Sequence, residues 1–476
     1  MNEWSGAEEA LIIPAGTRPG GVADLLAAIQ AEFAPAAGMP RPGRVIVPVE
    51  PDADVEAVRK LLRERVAEPL SPAVSVILQT SGSTTGRGHL VGLSRLALSA
   101  SAHATAAAFA GHGRWILPLP AHHIAGFQVL VRSVIAGHRP TLVDTTKGFT
   151  PEALARAARR AVRDDGVPVY TSVVPTQLRR IVSNRQACEA LRPLTAILVG
   201  GQASDPQLLA QAKANGLPVV TTYGMTETCG GCVYDGVPLR GVKVATIDQR
   251  IWISGTTLMD GYVDAPGRAD IVAAGGRRWL RTSDAGRMVG AKLEVIGRVD
   301  SVINTGGVKV QPDVVEESIK SLPDVGDVCV VGLPHATWGQ TVAAVFVPAP
   351  DANPRSLRAM RARRGLDVEP LDDAVEPVSS PELKEAMAAL QASIRGSEEE
   401  TDLLGQVRIP QALTDDDHDI AVHMRAHVAA ELGRAQAPRI VCMVDELPLL
   451  GIGKVDRRKV RQIALRHLEN GWAWTR

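Results

Sequence analysis

Apolar positions along the chain follow two rhythms. Short β-branched runs recur at Val74–Leu78, Trp115–Leu119, Thr141–Asp144, Val169–Val174, Ala196–Val199 and Val219–Thr222, each with the length of a buried strand. Between them stand Arg95–Ala110, Pro151–Arg163 and Pro206–Ala214, rich in Ala, Leu and Arg. Strands alternating with helices predict an α/β fold with a largely parallel sheet. From Gly236 to about Arg298 short alternating segments such as Arg250–Ser254 sit between glycines, which predicts antiparallel strands. Residues 1–70 are rich in Ala, Pro and Gly and show one helical period, Val22 to Phe33.

A smaller α+β domain is predicted to begin near Asp300. It shows a hairpin signal at Val302–Val310, a helix opened by Pro312, and strands at Val325–Val331 and Val342–Val347. A helix near Ala421–Leu432, a strand at Ile440–Val444 and a final helix after Val455 complete it. Residues 351–417 interrupt this pattern with 15 acidic and 8 basic residues and five prolines, a composition that favours a solvated, flexible insertion. Within it, Pro381–Ile394 has the spacing of an amphipathic helix. The expected organisation is a large N-terminal domain, 1–299, and a mobile C-terminal domain, 300–476, interrupted at 351–417.

Composition narrows the function classes. A chain of 476 residues supports two or more domains at about 100–200 residues each. Lys+Arg and Asp+Glu both number 52, so no net field draws the chain to nucleic acid or an anionic membrane. The N-terminus is acidic and resembles no signal peptide, and no apolar run approaches the roughly 20 residues that span a bilayer. A cytoplasmic location is the expectation. Five scattered cysteines, an odd count, argue against a disulfide framework.

Six segments carry candidate chemistry. In Gln79-Thr-Ser-Gly-Ser-Thr-Thr-Gly-Arg-Gly-His89, hydroxyls and glycines follow a strand, so backbone N–H and side-chain O–H groups are available to wrap a phosphate chain. The Gly-Lys-Ser/Thr of a Walker loop is absent, and a plain loop is the alternative. In Thr222-Tyr-Gly-Met-Thr-Glu-Thr-Cys-Gly-Gly-Cys-Val-Tyr-Asp235, Tyr223 can stack on a base, Thr226 can bond a phosphate oxygen and Glu227 can hold Mg²⁺. The alternative is a turn with a surface Glu. Cys229 and Cys232 lack a second pair at zinc spacing and read as buried packing residues. Asp284, at a predicted strand end, suits two ribose hydroxyls or a hairpin turn. Arg298, Asp300, Gly306 and Gly307 lie at the predicted domain junction, where a hinge would absorb backbone rotation. Lys454, on a Gly-flanked loop, can stabilise a phosphoryl group in transfer or remain a solvated lysine. His122 and His123, after the strand at Trp115, stand at a predicted helix start, where a solvent-facing histidine is the simpler reading.

The ordered set Thr-Ser-Gly-Ser-Thr, His-Ile-Ala-Gly, Tyr-Gly-Met-Thr-Glu, Arg-Thr-Ser-Asp, Gly-Arg-Val-Asp and a C-terminal Gly-Lys resembles the acyl-adenylating superfamily of acyl-CoA synthetases, synthetase adenylation domains and luciferases. The resemblance runs from about Ser75 to Val460, excluding the insertion. It implies ATP, Mg²⁺ and CoA as ligands of the chain. Thr80, Ser81, Gly82, Ser83, Thr84 and Gly86 would hold the β,γ-phosphates. Gly201, Gln202 and Ala203 would flank the adenine, with Tyr223 on its face. Thr226 would touch the α-phosphate, Glu227 the metal, and Asp284 and Arg298 the ribose. Asp300 would be the hinge, Lys454 the adenylation lysine, and Gly306-Gly307 part of the CoA tunnel.

The phosphate loop departs from the superfamily's usual Thr-Gly-x-Pro-Lys. It has one extra residue, no proline, and His89 where the lysine is expected, with Arg87 as a substitute charge. Within the superfamily the segment from Tyr223 to Gly236 resembles actinobacterial 2-succinylbenzoate–CoA ligases of menaquinone synthesis. That implies a dicarboxylate substrate whose succinyl carboxylate is activated and whose aromatic carboxylate needs a polar partner. His123 and Thr222 are adjacent to the implied acyl pocket. An acyl- or aryl-CoA ligase of another acid is the enzyme alternative. The altered loop motivates a second alternative, a non-catalytic nucleotide- or acyl-adenylate-binding protein, against which Lys454 speaks. The absence of a carrier domain after Arg476 disfavours a synthetase module. Monomer and homodimer both stay open.

Overall fold

The computed structural model describes residues 5–35, 37, 39, 41–66, 70–80, 88–163, 165–268, 270–335, 337–349, 415–449, 455–470 and 473–475. Residues 81–87, most of the 351–417 segment with its expected helix, and Lys454 lie outside them. The chain forms two compact units, divided between Val295 and Ile296.

Two sheets dominate the first unit. One is five-stranded and mixed. Leu11–Pro14, Ile46–Val49 and Val74–Gln79 run parallel, then Leu90–Ser94 and Gly261–Tyr262 pair antiparallel. The other has seven strands in the order Val237–Pro238, Gly230–Tyr234, Val219–Met225, Ala196–Val199, Val169–Val173, Arg114–Leu117, Thr141–Leu142. The last five are parallel and the first two antiparallel. Helices Pro19–Phe33, Arg95–Ala108 and Ile124–Ile135 fill a core with Val76, Leu78, Leu98, Leu117, Phe127 and Leu198. A second core covers the seven-stranded sheet with Pro151–Ala161 and its neighbours. Local signals set the helix starts: Ser94, Thr150 and Asp205 each accept from the backbone N–H of the second or third residue of the helix they precede.

An antiparallel sheet, Val242–Ile247, Arg250–Gly255, Arg277–Val289 and Ile271–Ala274, follows as the glycine-punctuated pattern predicts. Residues 1–70 depart from the expectation of a single helix. They hold two strands and the helix Val55–Arg65, capped by Asp54. Pro48 lies within the second of these strands. It is accommodated because Ile46–Val49 meets the next strand only at Ile46↔Val76, so the absent N–H interrupts no ladder.

The second unit is built on one antiparallel pair, Val325–His335 with Gly339–Pro348. Both strands exceed their sequence-predicted lengths. Their period-two pattern divides two cores. Val328, Val330, Val342, Ala344 and Phe346 face helices Pro312–Lys320 and Asp415–Leu432. Cys329, Val331, Ala343 and Val345 face helix Arg457–Glu469. Ile440–Met443 adds in parallel to Gly339–Pro348. The helix starting at Asp415 takes up the last three residues of the segment read as insertion. Arg457 ties two helices together: its guanidinium donates to Glu316 Oε1 and Asp313 Oδ1, both at 2.7 Å.

Phe346 is 1% exposed at the centre of this unit. Phe346→Ala is expected to destabilise the small unit by about 3–5 kcal/mol. Chemical denaturation should show an early transition in which the first unit remains folded.

Candidate active site

The parallel strands of the seven-stranded sheet deliver their loops to one edge, where open α/β sheets receive ligands. Three loops there carry candidate residues. After Ala196–Val199, the turn Gly200-Gly201-Gln202-Ala203 hugs the neighbouring strand so closely that a Cβ on Gly200 would lie 2.2 Å from Thr222 Oγ1, and Gly201 takes φ +90°. After Arg114–Leu117, His123 stands at the position just before helix Ile124–Ile135. His122 does not simply face solvent: its Nδ1 donates to Ala15 O at 2.6 Å, and burial lowers its pKa, favouring neutral imidazole.

The third loop is the most elaborate. Strand Val219–Met225 runs into a 3-10 turn, Thr226–Thr228, then reverses through Cys229 at φ +53°. Thr228 locks the turn, its hydroxyl accepting from Met225 N at 2.9 Å and donating to Gly230 O at 2.8 Å. The Cys229 carbonyl accepts from Ser101 Oγ and Gln128 Nε2, both at 2.9 Å and both buried. Thr226 and Glu227 therefore project from a turn with little freedom.

Two carboxylates of this region are each met by a tyrosine. Tyr223 donates its hydroxyl to Asp284 Oδ2 at 2.7 Å, and Tyr262 donates to Glu227 Oε1 at 2.9 Å. Burial, followed by the charge of Asp284, pushes the Tyr223 phenol well above its ordinary pKa. Burial and Glu227 raise Tyr262 in the same way. Asp284 is not at a strand end as expected. It lies inside Arg277–Val289, at a register shift where Thr282, Ser283 and Asp284 stand opposite Ile251 alone. Thr282 Oγ1 accepts from Asp284 N at 3.1 Å and donates to Ile251 O at 2.8 Å, which turns the bulge toward Tyr223.

Thr80 stands where the phosphate loop begins. Its N–H donates to His89 O and its Oγ1 accepts from His89 N, both at 2.9 Å, closing the loop's base. A Cβ on Gly88 would fall 1.7 Å from Thr80 O, so only glycine fits. Ser81, Gly82, Ser83, Thr84 and Gly86 lie outside the described residues, as does Lys454. In the second unit, Arg298 ends strand Lys292–Arg298 and Asp300 lies in the 3-10 turn Val299–Ser301. Gly306 and Gly307, at φ +56° and +84°, form the two-residue turn of hairpin Ile303–Thr305/Val308–Val310.

Sequence reasoning missed Tyr262, Thr282, Ser101 and Gln128. Each has a partner far along the chain, and of the four only Thr282 lay within a segment singled out for its chemistry, Arg281-Thr282-Ser283-Asp284.

The donors fit a hard divalent cation. Magnesium takes one or two carboxylates and completes its shell with water and substrate phosphate oxygens. Glu227 with the Thr226 hydroxyl offers such chemistry, while among the described residues no cluster of three or more His, Cys, Asp or Glu could cage a metal by itself. Cys229 and Cys232 are fully buried. Burial raises the Cys229 thiol, and pushes Cys232 up to about 12. Both stay protonated near neutrality, unsuited to zinc or redox exchange.

A rigid Thr-Glu turn and two tyrosine-held carboxylates stand near the edge of the sheet, and the chain belongs to the AMP-binding enzyme family. That family's profile matches residues 25–263, and the profile of the AMP-binding enzyme C-terminal domain matches 314–371. A probable 2-succinylbenzoate–CoA ligase of Mycobacterium tuberculosis is 40% identical over 365 residues, covering 75% of this chain and 90% of that protein. The 2-succinylbenzoate–CoA ligase of Escherichia coli is 31% identical over 246 residues, half of each chain. Among solved structures, o-succinylbenzoate CoA synthetase of Bacillus subtilis bound to its acyl-adenylate shares the fold at TM-score 0.64 and 20% identity, over 95% of this chain and 87% of that one. An amide bond synthetase of Marinactinospora thermotolerans shares it at 0.60 and 22%, over 96% and 80%. The fold therefore accommodates more than one kind of product.

The raised phenols give a pH expectation with a definite sign. Above the unfolded tyrosine pKa of about 10, folded Tyr223 and Tyr262 retain protons that the unfolded chain has released. Their contribution to stability is complete below that pH and lost progressively above it. Alkaline difference spectroscopy should find both phenols protonated at about pH 11 in the native protein, with the melting temperature falling steadily above about pH 10.

Proposed function

We propose that this chain joins CoA to 2-succinylbenzoate through an acyl-AMP, releasing AMP and pyrophosphate, as in menaquinone synthesis. The observation that carries the reading is the 40% identity that extends over 90% of the Mycobacterium tuberculosis ligase. The site's chemistry supports it. A carboxylate is a poor acyl donor. Its oxygen bonds to the α-phosphorus of ATP, the α–β phosphoanhydride bond breaks, and pyrophosphate leaves with the electron pair. The CoA thiolate then attacks the mixed anhydride's carbonyl, and AMP departs.

In this reading Tyr223 stacks on the adenine beside Gly201-Gln202-Ala203, while its hydroxyl keeps Asp284 aimed at the ribose together with Arg298. Thr226 bonds the α-phosphate and Thr80 opens the phosphate loop. Magnesium, when bound, neutralises phosphate charge. Glu227 is its ligand in the chain, oriented by Tyr262. Neutral imidazole at His122 packs against His123, their rings 4.2 Å apart, which steadies His123 at the mouth of the acyl pocket. Lys454 stabilises charge in the first half-reaction only. Asp300 is the hinge and Gly306-Gly307 serve the CoA-bound state. Soluble, cytoplasmic operation is part of this reading. Among the described residues no helix is long and apolar enough to cross a membrane.

A panel of carboxylic acids with ATP, Mg²⁺ and CoA tests the substrate. AMP and thioester should form with 2-succinylbenzoate. Turnover confined to benzoates or fatty acids would move the chain to another acyl- or aryl-CoA ligase, and no turnover with any acid would favour the non-catalytic binding protein. Lys454→Ala should slow acyl-AMP formation by about a hundredfold or more yet largely spare thioester formation from supplied acyl-AMP. Equal loss of both steps would contradict a lysine used in one half-reaction.

A further inference from the structure

The base of the phosphate loop carries a cluster of cations that the superfamily resemblance does not assign. His89 lies against one side of the Tyr262 ring, centroids 5.0 Å apart. The Arg268 guanidinium lies 5.1 Å from the centroid of the same ring, within cation–π range, and is hydrogen-bonded to His89. The hydroxyl of Tyr262 is bonded to Glu227. One ring thus links the guanidinium to the carboxylate proposed to face the nucleotide's metal.

Within this cluster Arg65, Arg268 and Arg281 stand with Asp264, Asp270 and Glu227. Arg65 is committed, donating to Gly88 O at 2.8 Å and to the buried carboxylate of Asp264 at 2.6 Å. Arg268 and Arg281 share a single carboxylate, Asp270. Asp270 is divided between two guanidiniums, and the Arg268 side chain is 40% exposed, so it has donors accessible to a ligand. A guanidinium fork matches two phosphate oxygens, and its attachment to Tyr262 and Asp270 limits the freedom lost when it engages them.

We propose that Arg268 is a phosphate-binding residue, its guanidinium engaging the β,γ-phosphates of ATP and then the departing pyrophosphate, alongside Glu227. This chain carries His89 at the loop position where a lysine is usual, and Arg268 brings a permanent charge to that place from a distant segment. As the α–β phosphoanhydride bond breaks, the electron pair moves onto pyrophosphate, and Arg268 stabilises the added negative charge. The inference rests on the adenylation reading above.

ATP–pyrophosphate exchange dependent on 2-succinylbenzoate isolates the first half-reaction. Arg268→Ala should raise the KM for pyrophosphate and for ATP by roughly ten- to hundredfold. Thioester formation from supplied acyl-AMP and CoA should stay within about twofold of the native protein, because that step holds no pyrophosphate. Arg268→Lys should recover part of the loss, as a point charge replaces the fork. An unchanged KM for pyrophosphate in Arg268→Ala would overturn the proposal. So would equal loss in both half-reactions with no recovery by lysine, the signature of a structural role. If the native protein shows no carboxylate-dependent exchange, the adenylation reading fails and this inference with it. Native exchange with an undisturbed Arg268→Ala sinks this inference alone.

Discussion

The carbonyl of Cys229 is the point on which the site's geometry depends. Its residue holds a left-handed backbone that a side chain rarely adopts, and two buried donors, Ser101 and Gln128, make that conformation worthwhile. They come from helices on the core side of the sheet, so packing of Arg95–Ala108 and Ile124–Ile135 is transmitted to a turn at its edge. Without those bonds the carbonyl would be buried and unsatisfied, at a penalty of about 1–3 kcal/mol. With them, the preceding Thr226-Glu227 pair has a fixed direction. Gly224, over which the Gly230 carbonyl passes too closely for any side chain, supports the same reversal.

Around that turn the chain uses one device twice. A tyrosine hydroxyl contacts each of the two carboxylates, Tyr223 on Asp284 and Tyr262 on Glu227. A neutral phenol can donate without adding charge, so it orients a carboxylate by a hydrogen bond alone. Placed in a half-buried setting, the phenols lose acidity and remain donors across the physiological range. The Tyr262 ring has a second use, as a surface that both His89 and Arg268 contact. Residues from three segments, 89, 227 and 262–268, thereby act together. The fold is shared with both a CoA synthetase and an amide bond synthetase, so the fold alone does not set the product.

Much of the fold was legible because hydrophobic periodicity is local. The strands at Val169–Val173, Ala196–Val199 and Val219–Met225 and the helix Pro206–Ala214 follow directly from apolar runs and caps. The hairpin at Gly306-Gly307 follows from the need for positive φ at both positions. Illegible were the strands Leu11–Pro14 and Ile46–Val49, which are short, contain prolines and are held by pairing with one another and with Val74–Gln79. The bulge at Asp284 was misread as a strand end. A register shift is a property of two paired strands, and Arg250–Gly255 supplies half of it.

The sequence by itself determined the chemistry available: a hydroxyl-rich loop after a strand, an aromatic-hydroxyl-carboxylate turn, a ribose-competent aspartate, and buried cysteines that carry no reaction. These are composition and order, and local rules suffice to read them. Only the tertiary structure decided which groups meet. Asp284 finds Tyr223 across 61 residues, Glu227 finds Tyr262 across 35, and Arg268 reaches His89 across 179. Such pairs are created by strand register and by helix packing on the sheet, long-range constraints that no window of sequence contains.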